Sequence, residues 1–253
     1  MDGEERLAEG GPIVNVAWLR DHLEKRGVRV IDGRPAGSYA AAHIPGALNW
    51  DLYALKLRRS DAAEVHRFIA EAEAALRRLG VRSGERVVFY EDVAGTLAAR
   101  GVWLLDYLGH DGGAMLDGGL LAWVAADGPL TRDVPEPTPS DFRAVPQSDL
   151  LATSDELRTA IEADASLTLL DTRNEVEHTA GAIPRSVHME WTHHLNPDGT
   201  LRSPTTLRRL YAEAGLPSEQ DHRVIAYCAS GFRAAHAYVV LRALGYANVA
   251  NYA

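Results

Sequence analysis

The chain has little with which to cross-link or anchor itself. Its 253 residues include one cysteine, Cys228, so no disulfide can close within it, which fits a reducing compartment. No stretch approaches the roughly 18 apolar residues of a membrane span. The opening MDGEERLAEGG is acidic and lacks the basic start and apolar core of a secretory leader. A cytoplasmic protein with no membrane partner is expected. Clustered Lys and Arg are also missing, and the formal net charge is −9. That argues against nucleic acid as a partner, because neutralising phosphates needs concentrated positive charge. Any anion site must be local.

What the chain does have is a second copy of itself. VRVIDGRPAGSYAAAHIPGALNW, from Val28, reappears as LTLLDTRNEVEHTAGAIPRSVHMEW, from Leu167. Asp32 and Asp171 lie 139 residues apart (171 − 32), as do Arg34 and Arg173, and Pro45 and Pro184. RVVFYEDVAGTLAARGVWLLDYLGH, from Arg86, matches RVIAYCASGFRAAHAYVVLRALGY, from Arg223, at an offset of 137 (223 − 86). A long unit present twice means two similar domains rather than a solenoid of many short repeats. Between the copies, five prolines from Pro129 to Pro146 suit an extended linker. The boundary is placed near residue 138, giving domains 1–138 and 139–253.

Each half alternates strand and helix signals. RVIDG, RVVFY, LTLLD and RVIAY are short, apolar and rich in β-branched residues, as strands buried on both faces tend to be. The segments 62–79 and 203–214 carry apolar residues at helical spacing and end at Gly80 and Gly215, where helix-stopping glycines belong. The expected class is α/β: in each half a mostly parallel sheet flanked by helices on both faces. Ligands of such sheets bind at the carboxyl ends of strands.

Cys228 stands at one such end. RVIAY ends at Tyr227, and a helix with Ala237, Val240, Leu241 and Leu244 on one face ends at Gly245. Residues 228–233 are therefore a strand-to-helix turn, whose N–H groups can converge on an anion beside the positive end of a helix dipole. Gly231 permits backbone angles that most residues resist. A thiol there ionises more readily, and the thiolate is the nucleophile. A lone cysteine is more often a buried structural residue. Its place at the loop, with Gly231 and Arg233 following, favours the chemical role.

On these motifs the sequence resembles a tandem-domain rhodanese-type sulfurtransferase over nearly its whole length. The resemblance rests on the Asp-x-Arg turns at 32–34 and 171–173, HIPGALN at 43–49 and YCASGFRA at 227–234. It implies that Cys228 takes sulfur from a donor, thiosulfate or 3-mercaptopyruvate, holds it as a persulfide and passes it to cyanide or a thiol. A protein thiol is among the candidate acceptors. Ala229, Ser230, Gly231, Phe232 and Arg233 would form the persulfide loop. Arg173 stands at the family's substrate-binding arginine position, its structural alternative being an ion pair with Glu177. Arg185 occupies the place of Gly46 and either adds positive charge or is simply solvated. Ser230 and His43 match a serine–histidine pair of mercaptopyruvate-type members, their structural alternatives being a helix cap and a hydrogen-bonding core histidine. The first domain carries Glu91 in place of the cysteine and is expected to be non-catalytic, with Glu91 in a closed ion-pair network.

Two other readings compete. A thiolate phosphatase of related fold resembles Cys-x5-Arg, whereas Cys228 to Arg233 is Cys-x4-Arg, a tighter cradle. A non-catalytic binding module is the other, which retention of Cys228, Gly231 and Arg233 argues against. His188, His193 and His194 lack a spacing that fixes three ligands on one face, so no metal or other cofactor is expected. Two departures from the family pattern stand out. The second copy reads AIPR, with Ala182 and Arg185 replacing histidine and glycine, and the chain stops at NVANYA where the first half continues DGGLLAWVAADG. A closing turn and helix are therefore expected to be missing from the second half, leaving it the less stable one.

Overall fold

The computed structural model describes residues 10–162 and 166–252. The first half runs β1 (Ile13–Val14), α1 (Val16–His22), β2 (Val28–Asp32), α2 (Ala36–Ala41), β3 (Leu48–Asn49), α3 (Ala62–Arg78), β4 (Arg86–Tyr90), α4 (Thr96–Tyr107), β5 (Gly113–Leu116) and α5 (Gly119–Ala125). The second runs β6 (Leu151–Ala152), α6 (Ser154–Glu162), β7 (Leu167–Asp171), α7 (Glu175–Ala180), β8 (Val187–His188), α8 (Pro204–Glu213), β9 (Arg223–Tyr227), α9 (Phe232–Ala243) and β10 (Val249–Tyr252). No described helix is long and apolar enough to cross a membrane.

Each half is a five-stranded sheet, ordered β1-β5-β4-β2-β3 and β6-β10-β9-β7-β8. Every pairing between these strands is parallel. The central strands are apolar on both faces because helices cover both: Val30 and Val88 pack in one cluster with α1 and α5, while Ile31 and Phe89 pack in another with α3 and α4. Local chemistry fixes the helix ends. Asp61 accepts the Glu64 N–H at 3.1 Å to start α3, and Arg77 and Arg78 sit in its last turn, against the negative end of the dipole.

The duplication extends to individual hydrogen bonds. The Tyr90 hydroxyl donates to Asp32 (2.7 Å) and accepts the Ile44 N–H (3.1 Å); the Tyr227 hydroxyl donates to Asp171 (2.9 Å) and accepts the Ile183 N–H (3.1 Å). Among the described residues, α5 has no counterpart after β10. The prolines keep the connection extended, and it is pinned along the first half, where Thr131 bridges His43 and Val145 donates to the Leu108 carbonyl.

The halves meet through α4 and α9, and one apolar cluster runs through both. At this contact the Tyr238 hydroxyl donates to Asp106 (2.8 Å). His236 bonds the Ala94 carbonyl through Nε2 (2.8 Å) and His194 through Nδ1 (3.1 Å), and His194 in turn meets the Tyr211 hydroxyl (2.8 Å). Burial lowers both imidazoles, His236 to about 4, so the chain of bonds is neutral. The three histidines of the HMEWTHH run therefore part company: His194 is buried here, His193 is exposed, and His188 stacks on His178.

Candidate functional site

The loop after β9 is built around sulfur. Cys228 is half-buried, and its Sγ accepts the Gly231 N–H at 3.1 Å. Gly231 has φ +76°, a left-handed conformation that glycine adopts without strain, and it turns the chain into α9. It is also the helix cap, so Ser230 does not take that role; Ala229 is exposed and Ser230 half-buried on the turn. Phe232 is buried, 5.6 Å from the Tyr53 ring of the first half.

Arg233 is held from the side. Its Nη1 and Nη2 donate to the two carboxylate oxygens of Glu177 at 2.5 and 2.9 Å, and that bond, with attraction to Cys228, raises its pKa. Glu177 itself sits in a capping box with Asn174 at the start of α7. Sequence position had suggested Glu177 for Arg173. The structure gives Arg173 instead to Asp171, through Nε (2.9 Å) and Nη2 (2.6 Å), and to the Gly181 carbonyl (2.8 Å). Burial opposes ionisation of Asp171, but bonds from Arg173, His178 and Tyr227 hold its carboxylate well below the usual range. The arrangement copies Arg34, which binds Asp32 (2.7 Å) and the Ala42 carbonyl (2.7 Å).

Two other expected participants lie apart from the thiol. His43 is fully buried in the first half, with Nδ1 2.8 Å from the Tyr39 carbonyl and Nε2 3.1 Å from the Asp133 carbonyl. Among the described residues no hydrogen bond joins it to Ser230, and it does not line the cleft at Cys228. Arg185 is exposed on its turn with φ +67°, reproducing the left-handed shape of Gly46 (φ +76°) with a side chain that resists it.

The cleft above Cys228, about 580 Å³, is completed by residues without a motif to announce them. The first half supplies Leu57, Arg58, Arg59 and Asp61; the second adds Ser154 and Tyr252. Arg59 pairs with Asp61 at 2.8 Å. Tyr252 arrives because β10 lies beside β9 in register, Tyr252 opposite Tyr227. The same register lets the Asn251 side-chain amide donate to the Gly231 carbonyl at 2.9 Å. Cations at the mouth, N–H groups at a helix start and a thiol between them suit attack on an anion.

In the first half the equivalent place is filled. The Glu91 Oε1 accepts the N–H groups of Leu97 (2.6 Å) and Ala98 (3.4 Å) at the start of α4. Burial pushes its pKa up to about 7, against those two bonds. No ion pair closes around Glu91 among the described residues, so the expected network is replaced by a carboxylate capping its own helix.

Comparison with known proteins bears on both halves. A model of the rhodanese-like domain matches residues 15–126 and 153–253. A thiosulfate sulfurtransferase of Pseudomonas aeruginosa is 32% identical over 232 residues, covering 88% of this chain and 84% of that protein. The sulfur carrier protein TtuD of Thermus thermophilus is 32% identical over 266 residues, covering 95% and 90%. The crystal structure of SseA from Escherichia coli, a 3-mercaptopyruvate sulfurtransferase, superposes with a TM-score of 0.81 at 24% identity, over 96% of this chain and 97% of that one.

Proposed function

The chain belongs to the rhodanese-like family and is a sulfurtransferase, and from that premise we propose that it carries sulfane sulfur on Cys228. In this reading residues 139–253 form the catalytic domain and residues 1–138 a non-catalytic one. The observation that carries it is the Cys228 sulfur accepting the Gly231 N–H at the start of α9, open to a cleft edged by Arg58 and Arg59. A thiolate there is stabilised by the N–H, by the helix dipole and by Arg233.

Thiosulfate fits the site better than 3-mercaptopyruvate. A doubly charged donor meets the arginines at the mouth, whereas the serine–histidine pair is not assembled, His43 being committed to Tyr39 and Asp133. The thiolate attacks the outer sulfur of thiosulfate; the sulfur–sulfur bond breaks and sulfite leaves with its electron pair. The terminal sulfur of the resulting persulfide carries the negative charge and lies against the loop N–H groups. An acceptor, cyanide or a thiolate, attacks that terminal sulfur, takes it as thiocyanate or a new persulfide, and returns Cys228 as thiolate. Arg173 orients the loop through Asp171 rather than clamping the donor, and Arg185 stays at the surface. The phosphatase alternative loses ground because Glu177 occupies both Nη groups of Arg233.

The test is the intact mass of the protein after thiosulfate or 3-mercaptopyruvate, then after cyanide. A gain of one sulfur that cyanide removes, absent in Cys228→Ala, is expected, with thiosulfate loading faster. No gain with either donor would sink the reading.

A further inference from the structure

Helix α4 belongs to the first half, yet it carries a guanidinium beneath the Cys228 loop. Arg100 is 1% exposed, and its Nη1 lies 3.4 Å from the Gly231 carbonyl, 131 residues away in sequence. Its Cζ sits 4.2 Å from the Trp103 ring centroid, 5.3 Å from that of Phe232 and 5.4 Å from that of Phe68. Nε and Nη2 are buried with no hydrogen-bond partner, and no carboxylate pairs with Arg100 among the described residues. Aromatic faces offset part of the cost of burying a cation, but what such a group lacks is an anion. Burial lowers its pKa to about 10, and the one charge that counters this is Cys228.

The Gly231 carbonyl adds a geometric link. It accepts from Arg100, from Asn251 (2.9 Å) and from the Ala235 N–H (3.1 Å). In a trans peptide the carbonyl and the following N–H point opposite ways, so fixing this oxygen inward turns the Phe232 N–H toward the end of α9 that faces Cys228. The device is mirrored in place but not in charge. Helices α4 and α9 start from the glycine caps Gly95 and Gly231, an offset of 136 (231 − 95), so α9 has His236 where α4 has Arg100. His236 reaches the Ala94 carbonyl of the other loop (2.8 Å) as a neutral imidazole, and that loop is already filled by Glu91.

We propose that Arg100 is a positioning residue contributed by the first domain: the buried counter-ion of the sulfur anion on Cys228, and a clamp on the Gly231 peptide that aims the loop. The non-catalytic domain thereby takes part in chemistry for which it has no cysteine. This rests on Cys228 being a thiolate nucleophile. Other charges facing that sulfur are Arg233, itself paired with Glu177, and Arg58, Arg59 and Asp61 at the cleft mouth.

The experiment follows iodoacetamide alkylation of Cys228 against pH, by intact mass, in the full-length chain, R100M and R100K. With a single cysteine, the reading is unambiguous. Below the wild-type midpoint, R100M is expected to alkylate about tenfold more slowly, its midpoint shifted upward by about one pH unit, with R100K near wild type. The Tm of R100M is expected to equal or exceed that of wild type, because an unpaired buried charge has been replaced by an apolar side chain. An unmoved alkylation profile overturns the proposal, and so does a lower Tm with no change in profile, the signature of mere packing. If R100M does not fold, C228D and C228N decide: a fixed carboxylate beside Arg100 should raise Tm over its neutral isostere, and equal values overturn the idea. Alkylation does not require sulfur transfer. A normal profile without sulfur loading would therefore count against the proposed function and leave this inference standing.

Discussion

The loop after β4 and the loop after β9 start from the same frame and end in opposite states. Each leaves a strand ending in Tyr whose hydroxyl is locked to an aspartate, and each enters a helix of the central pair. In the first, Glu91 is long enough to fold back and bond the helix N–H groups itself, and Gly95 leaves it room: a Cβ there would lie 2.4 Å from Oε1. In the second, Cys228 is short, the loop from the strand to the capping glycine, Gly231, is one residue shorter, and the loop N–H groups are available to something else. One scaffold thus supplies a closed cradle and an open one. The cations follow the open one, since Arg233 and Arg100 have Leu97 and the neutral His236 at the matching helix positions.

Substitution can break that contrast. Cys228→Ala should remove the open cradle's chemistry outright, lowering thiocyanate formation by on the order of a thousandfold or more. Full activity in Cys228→Ala would place the reaction elsewhere. Glu91→Gln tests the closed cradle through pH. Because the folded pKa of Glu91 is raised from 4.5 to about 7, the folded state keeps a proton that the unfolded state has released. Its contribution is full below pH 4.5 and is lost as pH rises through 7. Wild type should therefore lose about 3 kcal/mol relative to Glu91→Gln between those limits, seen in urea unfolding at each pH. The opposite slope would mean that Glu91 is charged and satisfied in its loop.

Smaller effects sharpen the comparison. Arg233→Ala, which also frees Glu177 beside the sulfur, should slow persulfide loading by about ten- to thirtyfold in a stopped-flow assay of sulfite release, with little change in Tm. The smallest effect is expected from Glu91→Cys. Intact mass should show a second alkylation but no second sulfur, because a thiol without Arg233 or Arg100 beneath it lacks the charge that its persulfide needs.

Much of this was legible beforehand, for local reasons. Repeated strand patterns, the Asp-x-Arg turns and the Tyr-Cys-Ala-Ser-Gly loop are encoded in contiguous residues, and the two parallel sheets follow them closely. The expectation on residue pairing failed where two segments had to meet in space. Arg173 sits two residues from Asp171, close enough to claim it, which left Glu177 for Arg233, 56 residues on. Glu91 caps a helix because the turn of the chain after it brings the Leu97 and Ala98 N–H groups onto its carboxylate, a fact of packing and not of sequence order. Arg100, Arg58, Arg59 and Asn251 carry no motif; Arg100 reaches the Cys228 loop through the α4–α9 contact, Asn251 through the register of β10, and Arg58 and Arg59 line the cleft from the segment before α3. A single signal hinted at Arg100, an arginine among apolar residues on a helix otherwise free of charge until Asp106.

Helix α9 has a consequence for how such a protein can change over generations. Residues 234–241 are buried without interruption, so this helix has no water-facing side of its own. A duplicated unit normally remains a movable part, able to be recombined into other genes. Here the second copy has given the outer surface of this helix to the first, so a gene that carried it away alone would have to cover a bare apolar face anew.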